Sequence, residues 1–167
     1  MGQLIFFRKY YLHLLFLQGY YHAAHALARI ARHMSRQLWR PTIESDGIPF
    51  DVLCSIVTNL NEWRDEHLPR VGVPYNFESE WDFVSAVSAC ASDATYHVMW
   101  VILFNAVDDF GIKEVNEIAR MNGVAQAQPN YAAIESVKHK ILDEALHGSL
   151  RIAGLVRSYT VAYCFFV

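Results

Sequence analysis

Apolar residues recur at three-and-four spacing along most of this chain, and that period belongs to the α-helix rather than the strand. The clearest case is residues 20–39, YYHAAHALARIARHMSRQLW, where Ala, Leu, Ile and Met repeat without an interior glycine or proline. Arg29, Arg32 and Arg36 recur on the same period and give that helix a polar stripe. The pattern predicts an all-α fold, a helical array with one long helix at its centre.

The punctuation predicts the elements. A helix over 4–17 precedes Gly19, which reads as a break, and Pro41 ends the 20–39 helix. Residues 41–49, PTIESDGIP, are loop by composition. A helix from 49 or 50 to 67 carries Leu53, Ile56, Val57, Leu60 and Trp63 on one face. Asp46 is placed to cap it, and Pro49 fits its first turn. Pro69 and Pro74 bound a segment expected to be extended.

Residues 78–107 read as one helix, about 45 Å long at 1.5 Å per residue. Its face is expected to be Trp81, Val84, Val87, Ala91, Ala94, Val98, Val101 and Ile102, with Trp81, Tyr96, Val98 and Trp100 among the buried residues. A short helix over 112–121 should stop at Asn122-Gly123, and residues 126–130 are loop. Helix resumes from 132 to about 159, with Ile134, Val137, Ile141, Leu142, Ala145, Leu150, Ile152 and Leu155 apolar.

The stretch 84–107 holds one formal charge, Asp93, and is long enough to span a bilayer. Ser85, Ser88, Ser92, Thr95, His97 and Asn105 are scattered through it. A carboxylate at the centre of a span costs about 2.5–3.5 kcal/mol even on lenient insertion scales. A core helix accounts for the same letters without that cost, so no membrane is expected.

Composition narrows the rest. At 53% hydrophobic and 19% charged, the chain has enough apolar surface to offset its ordering entropy, which excludes disorder. Its 167 residues suit a single all-helical domain over 1–167, or part of one. A net charge of −3 gives no field that favours a nucleic-acid backbone. Cys54, Cys90 and Cys164 are odd in number, far apart and without CxxC spacing, which is neither a disulfide framework nor a zinc site. The apolar ending, residues 162–167, is expected to pack against something, as in a fragment of a larger α domain.

Four constellations could carry chemistry. His22 and His25 share a helix face with His33 two turns on, but no third metal ligand accompanies them. Glu144 and His147 have the spacing of a carboxylate-bridged di-iron helix, of which such a centre needs two. Asp93 and His97, four apart, are placed to bond along their helix. Asp108 and Asp109, with Glu114 beyond, resemble the first Mg²⁺-diphosphate motif of class I terpene synthases, although Ile112 stands where the third acidic residue belongs. That resemblance implies a truncated terpene-synthase-like enzyme as the alternative reading. No G-x-S-x-G, P-loop or dinucleotide glycine pattern is found, so neither enzyme activity nor a cofactor or metal is expected.

Four stretches in order resemble the regulatory middle region of fungal zinc-binuclear-cluster transcription factors. They are residues 20–31 (YYHAAHALARIA), 60–69 (LNEWRDEHLP), 93–103 (DATYHVMWVIL) and 143–156 (DEALHGSLRIAGLV). The resemblance covers roughly residues 20–160. It implies an all-α regulatory domain in the nucleus that acts in transcription regulation through protein contacts, self-association or a small effector. Two departures stand beside it. The six-cysteine DNA-reading cluster is absent, so DNA binding is expected only through a segment not present here. The His-Arg-Pro that often closes the family's Tyr-His helix is replaced by Asn105-Ala-Val-Asp-Asp109.

Overall fold

The computed structural model describes the backbone of residues 2–73, 83–121 and 130–164, and the side chains of 18–73, 83–121 and 130–157. Within them lie six helices and no strand: α1 (Gly2–Leu38), α2 (Pro41–Asp46), α3 (Phe50–Val71), α4 (Phe83–Phe110), α5 (Lys113–Arg120) and α6 (Tyr131–Cys164). The all-α expectation holds. The predicted loop at 126–130 and the helix stop at 122–123 fall mostly or wholly outside the described residues.

α1 runs through Gly19 without interruption. A single helical glycine costs only about 1 kcal/mol relative to alanine, too little to break a helix with strong formers on both sides. Ala23, Leu27, Met34 and Leu38 form its buried line, while Arg29, Arg32 and Arg36 are exposed as the stripe predicts. The Arg40 side chain donates to the Arg36 carbonyl at 2.6 Å and closes the helix.

α1 ends at Leu38, just before Pro41 as expected, and Pro41 also starts a helix of its own. It occupies the first helical position of α2, where its missing N–H is no loss; residues 41–46 of the predicted loop form a turn and a half that buries Ile43, and 47–49 stay non-helical as expected. Two glycines with positive φ follow helix ends, Gly47 at 96° and Gly111 at 70°. Between them a parallel bridge joins buried Ile48 to buried Ile112, with Ile48 N–H donating to Gly111 O and Lys113 N–H to Ile48 O, each at 3.0 Å. The Asn116 amide lies under both turns and donates to Asp46 O at 3.2 Å and Phe110 O at 2.9 Å. A Cβ on Gly47 would stand 2.5 Å from Asn116 Nδ2, so that turn has no room for another residue.

The α3 entrance is capped from a distance. Asp46, expected to do this, ends α2 and pairs with Arg120 at 3.5 Å. Both Glu114 carboxylate oxygens instead accept the Phe50 N–H, each at 3.1 Å. α3 buries Leu53, Ile56, Val57, Leu60 and Trp63, the predicted face. It also continues through Pro69 to Val71, where an extended connector was expected; a proline in the last turn removes one hydrogen bond, and the Gly72 N–H closes the end on Leu68 O at 2.9 Å.

α4 is central and buries Tyr96 and Trp100 as expected, but the valines of its predicted face are turned outward. Its buried side is Ser85, Ser88, Ala89, Ser92, Asp93, Tyr96, His97, Met99, Trp100, Leu103 and Ala106. Val84, Val87 and Val98 are exposed, Val98 at 39%, and Trp81 lies outside the described residues. Apolar residues surround this helix, so their period gives no direction. The two large rings, Tyr96 and Trp100, and the ion pair of Asp93 set which side turns inward. Tyr96 stacks on Trp63 with ring centres 5.2 Å apart, and Trp63 Nε1 donates to Ala23 O at 2.9 Å, tying α1, α3 and α4 together.

α6 packs antiparallel to α4, since Asp93 meets Arg151 and His97 meets Gly148 as the two numberings run in opposite senses. Ile134, Ile141, Ala145, Gly148 and Leu155 are buried, whereas Leu142 and Leu150, read as part of the apolar face, are exposed. Gly148 is needed for this approach: a Cβ there would lie 3.0 Å from His97 Cβ and 3.1 Å from its carbonyl oxygen. Among the described residues α4 is the one helix long and apolar enough to cross a membrane, and 44% of that stretch is buried in the protein.

Candidate functional site

A cleft of about 810 Å³ opens between α3, α4 and α6. That is the size range of small-molecule sites. Arg64 and Leu68 of α3 form one wall. Asp93, Tyr96 and His97 of α4 lie at the base, and Lys140, Glu144, His147 and Arg151 of α6 form the other wall. The α6 wall follows from helical spacing: 140, 144, 147 and 151 fall on one side of the helix, next to the buried side of Ile141, Ala145 and Gly148.

Asp93 organises the inner end. Arg151 donates to it twice, Nη2 to Oδ2 at 2.7 Å and Nε to Oδ1 at 3.2 Å. The Val73 N–H reaches Oδ2 at 3.1 Å, and His97 Nε2 lies 3.3 Å from Oδ1. Arg151 also donates to Val73 O at 2.8 Å, so one guanidinium and one carboxylate hold together α4, α6 and the residues just after α3. Asp93 is 2% exposed. Burial alone would raise its pKa, but the His97 and Arg151 bonds, the Arg151 charge and the Val73 amide outweigh it and hold it at about 2. Asp93 is therefore a fixed anion at neutral pH.

The outer end is looser. Arg64 Nη1 meets Glu144 Oε1 at 3.3 Å, and the His97 and His147 rings stand edge to face with centres 5.4 Å apart. Tyr96 is fully buried, and that burial pushes its phenol pKa up. The Tyr96 hydroxyl is shielded from solvent between Trp100 and Arg64, and His97 Nδ1 is shielded beside Gly148.

The predicted chemistry is distributed differently. His22 and His25 are exposed on α1, and no three His, Cys, Asp or Glu side chains among the described residues converge as metal ligands. Glu144 and His147 do share the cleft, with Glu144 committed to Arg64. Asp108 and Asp109 are exposed at the end of α4; Asp108 borders a second groove of about 370 Å³ beside Glu135, Lys138 and Asn116. Glu114, third in that reading, is occupied at the α3 entrance. Cys54 and Cys90 are free, half-buried thiols whose pKa values burial raises. The Asp93–His97 bond was legible from its spacing. Arg151, 58 residues away, and the Val73 backbone were not.

No family model, curated protein or solved structure matches the chain.

Proposed function

We propose that this chain is a regulatory helical module of the kind found in the middle region of fungal zinc-cluster transcription factors, and that it acts in the nucleus by receiving a small polar effector in the α3–α4–α6 cleft. The observation that carries this reading is the cleft itself. It is ligand-sized, lined with charged groups, and floored by Tyr96 and His97. A polar effector would find its charged and hydrogen-bonding partners in Lys140 and His147 on the α6 wall, which lie beside the cleft and away from the Asp93–Arg151 pair. Three of the four stretches that carry the resemblance, in α3, α4 and α6, supply walls of this cleft, through Arg64, Tyr96 and Glu144 respectively. DNA binding is not part of the proposal, since the chain carries no six-cysteine cluster and a net charge of −3.

The test is a reporter experiment. The chain is inserted between an unrelated DNA-binding domain and an acidic activating segment, and transcription is compared with a fusion that carries a flexible linker of equal length. A regulatory module alters the output or makes it dependent on growth conditions. An output equal to that of the linker under every condition would contradict the proposal.

A further inference from the structure

The outward sides of α4 and α6 carry a surface that neither the cleft nor the core explains. Val84, Val87 and Val98 lie along one line of α4, between 36% and 48% exposed. Leu142, Leu146 and Leu150 lie at four-residue intervals along α6, between 38% and 75% exposed. The two helices are antiparallel neighbours, and on each the line is turned away from the side that meets α3. Val98 follows His97, which packs on α6, and Leu142 follows buried Ile141, which packs toward α4. The valines and leucines thus flank one seam and form one face. Ala91 and Ala94, between the valines, keep it low enough for a helix to approach closely.

We infer that this face is the interface of a homodimer, formed by a second copy of the chain across a two-fold axis. Its chemistry argues for that occupant over others. No charged residue interrupts the α4 line at 84, 87, 91, 94 or 98, or the α6 line at 142, 146 or 150. Charge on these lines appears only beyond their ends, at Asp109 on α4 and at Glu135 and Arg157 on α6, as at the polar rim of a homodimer interface whose core is depleted in charge. Six aliphatic side chains exposed to this degree offer several hundred Å² of surface, enough for the apolar centre of a standard interface of ~800 Å² per partner. An antiparallel helix pair is also self-complementary: a two-fold axis through the seam sets the ridges of one pair into the grooves of the other, as in a four-helix bundle. A bilayer is a poorer occupant, because the other side of α4 is held in the protein by Asp93, Tyr96 and Trp100.

Sedimentation equilibrium of the full 167-residue chain tests this, with Val98→Glu and Leu146→Glu in the face and Thr58→Glu on the exposed side of α3 as a control. The expected result is a dimer that either face variant weakens by about tenfold or more in Kd and that the control leaves unchanged. If Val98→Glu also lowers helicity by circular dichroism, Leu150→Gln, at a position 75% exposed, reads the same contact without touching the core. A monomer at all micromolar concentrations would overturn the inference, as would a dimer indifferent to the face variants. So would a monomer that co-sediments with phosphatidylcholine–phosphatidylserine vesicles through the same residues, which would assign the face to lipid.

Discussion

Arg151 Nη2 lies 2.7 Å from Asp93 Oδ2, and that contact joins the last long helix of the chain to its central one. The carboxylate is almost wholly buried while the guanidinium side chain keeps 30% of its surface in solvent. The pair therefore anchors an inner charge with an outer one, and removing the inner partner leaves an arginine that can partly turn to water. Asp93→Asn should cost about 2–3 kcal/mol, below the full penalty for breaking a fully buried pair. Urea denaturation measures it. A loss under half a kcal/mol would mean that the contact holds nothing.

The same carboxylate sets an acid limit. Its pKa is lowered in the fold, from an ordinary 3.8 to about 2, so its contribution is complete above the ordinary value and is lost as the pH falls through about 2. The difference corresponds to roughly 2 kcal/mol. Stability measured between pH 5 and pH 2 should fall more steeply in the wild type than in Asp93→Asn. Parallel curves would place the acid sensitivity in other groups.

Two glycines on α6 should respond in opposite ways to the same substitution. Gly148→Ala drives a methyl group against His97 and should cost about 1–3 kcal/mol by forcing α4 and α6 apart. Gly154→Ala meets nothing within 4 Å in an exposed helical position and should stabilise by up to about 1 kcal/mol. Thermal melts of the two variants check both signs. Equal effects would contradict the close approach at His97.

Much of this architecture was legible in the sequence, for reasons that also mark where legibility ends. The α3 face read correctly because polar residues alternate with Leu53, Ile56, Leu60 and Trp63 on a clear helical period. α4 misled because Val84, Val87 and Val98 are as apolar as the residues opposite them, and its orientation comes from the rings of Tyr96 and Trp100 and from a partner far along the chain. Arg151 carries no local sign of that role. Pro41 marks the end of α1 and also opens α2 from a favourable first-turn position, whereas Gly19 does not break α1 because flanking helix formers override its propensity. The Glu114 cap spans 64 residues, a separation that no local pattern encodes.

Glu114 also separates the two readings of Asp108 and Asp109. As the α3 cap, its replacement in Glu114→Ala should cost about 1 kcal/mol of stability. Calorimetry with Mg²⁺ and inorganic diphosphate should show no coupled binding in the wild type. Tight Mg²⁺-dependent binding that disappears in Asp108→Asn would favour the terpene-synthase-like alternative.

The central proposal is that occupancy of the α3–α4–α6 cleft controls output, and Lys140 gives the most direct access to it. Lys140 is half-buried on the α6 wall, away from the Asp93–Arg151 clasp, so Lys140→Glu reverses a charge in the cleft without opening the core. Its effect is read in the reporter fusion beside Thr58→Glu, with thermal midpoints measured on the same proteins. The account predicts that Lys140→Glu changes the regulated output while its midpoint stays close to wild type, and that Thr58→Glu changes neither. A Lys140→Glu fusion that behaves as wild type in the reporter would contradict it.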